Sequence, residues 1–155
     1  MYDSATQPLI QKPRACVWLL MTKIFLCYVA TLAAFLAIDF IWLFLIAKPI
    51  YTAELGGLLR REPNLISAGV FYLLYASGLT LFAIVPGLEA DSALRSMVLG
   101  AALGLVAYGT YDLTNLASLN GFSLRIALID IAWGTAASAA TAALVAASVR
   151  YFFSG

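Results

Sequence analysis

The chain has 155 residues, of which 63% are hydrophobic and 11% charged, and its formal net charge is +1. A soluble globular domain carries about 45–50% apolar and about 25% charged residues, so the composition excludes an ordinary water-soluble core. The small net charge and the lack of a basic run exclude a nucleic-acid footprint, and the absence of histidine removes the usual imidazole base, proton shuttle and metal ligand.

Residues 1–15, with Pro8 and Pro13 and mixed polarity, read as a flexible tail, and residues 16–155 as a single membrane domain. A spanning helix needs about 20 apolar residues. Four runs meet that length: Val17–Ala47, Leu65–Leu88, Ala93–Leu113 and Phe122–Phe153. The first far exceeds the roughly 7–15 apolar residues of a signal peptide. Barrel strands would show segments of about 10 residues with alternating polarity. The predicted fold class is therefore all-α, a polytopic membrane bundle of four transmembrane helices with both termini on the same side. Basic residues bias the orientation only slightly, five on the side of the termini and four on the other, which leans towards termini inside.

Taken in order, the first span is expected to end at Lys48-Pro49, where proline removes a backbone donor. A loop from Ile50 to Asn64 follows, with a short interfacial helix over Thr52–Leu59 weakened by Gly56-Gly57. The second span is expected to stop near Pro86-Gly87, and a tight turn leads to Ser92, a natural N-cap. The third runs out around Tyr111 to Asn115, and Asn120-Gly121 is a strong turn dipeptide. Cys16 and Cys27 match no metal or redox pattern and read as small hydrophobes. No metal site and no cofactor is expected.

The polar exceptions carry the functional argument. Asp39-Phe40-Ile41-Trp42 and Asp130-Ile131-Ala132-Trp133 place an acid and an indole inside apolar spans. A carboxylate at that depth is costly, and by default it marks a functional site. At 1.5 Å per residue both acids lie roughly 12 Å inside their helix ends, on the side of the interhelical loops. Tyr72, Tyr75 and Asp112 fall in the same membrane half. Spacing groups them further. Gly100, Gly104, Tyr108 and Asp112 form one stripe, and Asp130, Gly134, Ser138 and Thr141 another, while Asn64, Ser67, Phe71, Tyr75 and Gly78 align on the second helix. The GxxxG of the first stripe permits close helix contact, so Gly100, Gly104, Gly134 and Ser138 are expected at helix interfaces. Asp112 and Asn115, placed at a helix C-terminus against the dipole, call for a cation such as Arg60, Arg61 or Arg125. Trp42 and Trp133 read either as interfacial belt residues or as ligand-stacking surfaces.

The run Ala107-Tyr108-Gly109-Thr110-Tyr111-Asp112-Leu113-Thr114-Asn115 is joined by Asp39-x-x-Trp42, Pro63-Asn64, Phe71-Tyr72-Leu73-Leu74-Tyr75 and Asp130-x-x-Trp133-Gly134. Together these resemble an uncharacterised family of small four-helix membrane proteins, domain of unknown function 2177, over about Lys23 to Val149. The resemblance implies a four-span membrane protein and brings no established activity. Asn120-Gly121-Phe122 departs from the Trp-Pro-like pair expected there, which affects the shape of the last turn.

The favoured functional expectation is a loop-side acidic and aromatic cavity that binds a small cation, proton or amphiphile for transport or sensing. Its expected ligand-binding residues are Asp39, Trp42, Tyr72, Tyr75 and Tyr108, together with Asp112, Asn115, Asp130 and Trp133. The expected surroundings are a lipid bilayer, with a homo-oligomer or a lipid-enzyme partner as candidate associates. A second reading makes the chain a non-catalytic accessory or scaffold subunit for membrane-lipid-modifying enzymes, beside which family members are sometimes predicted. An intramembrane enzyme using paired carboxylates ranks last, because no nucleophile, metal set or cofactor motif accompanies them. Repetition of the Asp-x-x-Trp motif by duplication is a further option, since inverted repeats are common in transporters.

Overall fold

In lipid every backbone N–H and C=O must find a partner within the protein, and a helix provides this within one segment. The computed structural model describes residues 8–60 and 62–153, and among these no strand occurs. The helices are α1 (Pro8–Ile41), α2 (Lys48–Leu55), α3 (Leu65–Leu79), α4 (Val85–Glu89), α5 (Ala93–Ser118) and α6 (Leu124–Phe153). A π-helical segment, Trp42–Ala47, joins α1 to α2, and a second, Thr80–Ile84, joins α3 to α4. Four stretches are long and apolar enough to cross a membrane: Val17–Leu58, Leu65–Glu89, Ala93–Ser118 and Leu124–Phe152. Residues 1–7 of the expected tail and Arg61 lie outside the described residues, as does the side chain of Cys16.

The expected stop at Lys48-Pro49 is corrected. The helix passes Pro49 and continues to Leu55, with a 3₁₀ turn over Gly56–Leu58. Proline is tolerated in the first turn of a helix, and α2 carries Pro49 there, directly after the wide turns of the π segment. The second span repeats the device. Pro86 sits in the first turn of α4, directly after Thr80–Ile84, and that helix runs on to Glu89. The third span is also longer than expected, ending at Ser118 rather than near Leu113.

Side-chain caps set several boundaries. Asn64 Oδ1 accepts from the N–H groups of Ile66 and Ser67 at 3.1 Å, opening α3. Ser92 Oγ accepts from Arg95 N at 3.1 Å, opening α5. Gly121 turns the chain towards α6 at φ 83°, a conformation in which a Cβ would be strained.

Lipid tails are as apolar as leucine, so close packing rather than water expulsion joins spanning helices. Large side chains accordingly face outward, Ile66 at 81% and Leu45 at 74% exposure, while small residues make the joints. The main joint is α5 on α6. A Cβ at Gly100 would stand 2.7 Å from the Ser138 carbonyl oxygen, and one at Gly104 would meet the Gly134 carbonyl oxygen. Gly134 in turn lies against the face of the Tyr108 ring, where any Cβ would collide. Phe35, Leu79 and Ile84 fill the centre. Ion pairs hold α6 at both ends, Arg125 to Glu54 at 3.0 Å and Arg150 to Asp91 at 2.7 Å.

Candidate functional site

The π segment and α2 bring Trp42 and Tyr51 to the loop-side end of the bundle, where α3, α5 and α6 also contribute side chains. There they enclose a cavity of about 700 Å³. Asp39, Asp130, Trp42 and Trp133 line it, with the phenols of Tyr72, Tyr75 and Tyr108. Seven of the nine expected ligand-binding residues thus share one space.

Asp39 is the hub of the site. It is buried on α1, and its two oxygens accept from different helices: Tyr72 Oη of α3 at 2.6 Å and Trp133 Nε1 of α6 at 3.1 Å. Bonds to a carboxylate are stronger than neutral ones, so this side chain ties three helices at one point. Trp133 also stacks on Trp42, with ring centres 4.4 Å apart and planes within 8°. The two indoles therefore form a continuous wall.

Asp130 has a different partner. Tyr51 of α2 donates its hydroxyl to Asp130 Oδ1. One turn on, Glu54 accepts from Ser123 Oγ at 2.6 Å and from Arg125 at 3.0 Å, so α2 is clasped to the start of α6. Among the described residues Asp130 Oδ2 accepts no hydrogen bond, and it is not among the fully buried unpaired atoms. The Asp-x-x-Trp motifs are not used reciprocally. Trp133 serves Asp39, whereas Trp42 Nε1 lies beside the Tyr51 hydroxyl and has no well-aligned bond among the described residues.

Tyr75 is buried and joins the cavity to the α5–α6 joint. Ser138 Oγ donates to the Gly134 carbonyl at 2.5 Å, which leaves Tyr75 Oη to donate to Ser138 at 2.7 Å. Phe71 lies alongside Tyr75 at 5.4 Å and Tyr108 meets it edge-on at 6.0 Å.

Two expected members stand apart from the cavity. Asp112 and Asn115 do not line it. Because α5 continues to Ser118, Asp112 lies nearly two turns inside the helix, away from the terminus where it was expected. Of the cations expected for it, Arg125 is engaged by Glu54, Arg60 makes no ion pair among the described residues, and Arg61 lies outside them. Asp112 is fully buried, and among the described residues neither carboxylate oxygen has a hydrogen-bond partner. Tyr51, Phe71 and Tyr111 line the cavity without having been singled out as ligand-binding residues.

A family model described as a predicted membrane protein, DUF2177, matches residues 24–147. The chain belongs to this family. The matched region spans every cavity-lining residue of this DUF2177 member, from Asp39 to Trp133. No curated protein and no solved structure matches it. It is an integral, multi-pass membrane protein with four spanning helices.

Asp112, unpartnered among the described residues, gives a direct test of what a buried carboxyl costs in this family member. An unsatisfied buried polar group costs about 1–3 kcal/mol, and a charged one more. Asp112→Ala removes the unsatisfied carboxyl and leaves only a small void, so the variant should melt at a higher temperature in detergent. A lower melting temperature would reveal a stabilising partner for the carboxylate.

Proposed function

We propose that this protein binds a small positively charged ligand in its loop-side acid–aromatic cavity, in the service of transport or sensing. The observation supporting this reading is the make-up of the wall. It carries Asp39, Asp130 and eight aromatic side chains, and among the described residues no lysine or arginine lines it. Uncompensated carboxylates in a low-dielectric wall attract a cation. Aromatic faces add about 0.5–2 kcal/mol each when the cation is desolvated. The volume of about 700 Å³ suits a small organic molecule.

The test is a titration of the purified protein in uncharged maltoside micelles with tetramethylammonium, read by the fluorescence of Trp42 and Trp133. A saturable response is expected, weakened about tenfold or more in Asp130→Asn, since loss of one desolvated charge contact costs at least about 1.4 kcal/mol. The same affinity in Asp130→Asn and the parent would overturn the reading. An equal response to an anion of similar size would do the same.

A further inference from the structure

The walls of the cavity are not equally closed. Asp39 ties α1 to α3 and α6 through Tyr72 and Trp133. Tyr51 and Glu54 fasten α2 over the start of α6. The remaining seam lies between α3 and α5. The segment Thr80–Ile84 and α4 pack closely along α5, whereas α3 barely touches it. The second and third spans therefore diverge from their shared turn towards the loop side, and the cavity lies in that divergence.

The exposed lining residues mark the same seam. Tyr111 on α5 is 62% exposed and Phe71 on α3 is 39% exposed, and Ser67 of α3 is exposed beside them. Ala68 of α3 and Ala107 of α5 also line the cavity, and as the smallest lining side chains on those two helices we take them as the sill of the seam. At about 1.5 Å per residue, Ser67 lies roughly 3 Å and Phe71 roughly 9 Å below the start of α3, and Tyr111 about 10 Å from the end of α5. The opening is thus within spanning segments, level with the boundary between headgroups and acyl chains, and it faces lipid.

We propose that the ligand is an amphiphile with an alkylammonium head, which enters sideways from the bilayer between α3 and α5. Its head lies against Asp130 and the indole wall, and its chain stays in the apolar phase outside the sill. The proposal rests on the cation-binding reading above and narrows it to one chemical class. Three observations favour an organic cation over a metal ion. Among the described residues no three His, Cys, Asp or Glu side chains gather closely enough to hold a metal. Among the described residues Asp39 accepts a bond on each oxygen, whereas Asp130 Oδ2 accepts none. Eight aromatic rings suit a diffuse alkylammonium charge better than a hard ion that requires oxygen ligands. The chain is implied by the lipid-facing opening, because a tail concentrates the head at that depth.

The experiment compares dodecyltrimethylammonium with tetramethylammonium, the same head without a chain, in the maltoside micelles. It uses a Trp18→Phe background, because Trp18 is 70% exposed and would report on the surrounding detergent. The chain-bearing cation should saturate the response of Trp42 and Trp133 at a concentration at least about tenfold lower. Ala107→Phe and Ala68→Phe, each raising the sill, should weaken the chain-bearing cation by about tenfold and tetramethylammonium clearly less. A circular-dichroism melt of each variant confirms that it is folded. Equal affinity for the two cations, or equal weakening of both in the folded sill variants, overturns the lateral route and leaves the cation-binding reading standing. No saturable response to either cation overturns both.

Discussion

Gly104→Leu should leave little folded protein. Even a methyl group at Gly104 meets the Gly134 carbonyl oxygen and stands 2.7 Å from Ser138 Oγ. The backbone oxygen cannot rotate away as a flexible side chain would, so α5 and α6 must separate. Overpacking of this kind costs about 1–3 kcal/mol for modest insertions and more for large ones. Gly104→Ala should therefore lose about 1–3 kcal/mol and Gly104→Leu clearly more, with Tyr108 displaced from its seat on Gly134. Gly109, on the same helix, is the control, because a Cβ there meets nothing within 4 Å. Denaturant titration in bicelles checks both. Gly104→Ala and Gly109→Ala losing equal stability would refute the close contact as its cause.

Asp39→Ala should be the most damaging change at the cavity. It deprives the Tyr72 hydroxyl and the Trp133 N–H of their acceptor at once. A fully buried donor that is abandoned costs about 1–3 kcal/mol in water-based measurements, and these two are part-buried. Interhelical hydrogen bonds in membranes average about 0.6 and reach about 1.7 kcal/mol, because the unfolded state in lipid finds other partners. Asp39→Ala should consequently lose on the order of 2–3 kcal/mol, and Tyr72→Phe about 1 kcal/mol or less. The double variant should lose less than the sum, since one bond is removed only once. Strict additivity in that cycle would show that Tyr72 and Asp39 do not interact.

The spans were legible because a long apolar run has one dominant solution in lipid. So was the meeting of Asp39, Asp130 and the phenols at one level, which follows from counting residues inward from the loop side. The helix ends were harder to read. Pro49 and Pro86 look like terminators in sequence, yet each occupies the first turn of a new helix after a π segment, and no residue pattern announced those segments. That misreading put Tyr51 in a loop. Treated as the first turn of α2, Pro49 would have placed Tyr51 and Glu54 three residues apart on one helical face. Asp112 failed for a related reason. Its assignment to a helix terminus depended on stopping α5 near Leu113, while the helix continues to Ser118.

The wide turns of Trp42–Ala47 also set rotational phase. A π turn holds one residue more than an α turn, and each residue advances a helix by about 100°. Everything beyond Ala47 is therefore dialled round relative to an uninterrupted α1, and this phase angle is what aims Tyr51 at Asp130. Shortening the segment by one residue would keep the span continuous and its hydropathy intact, but would turn that phenol towards the acyl chains.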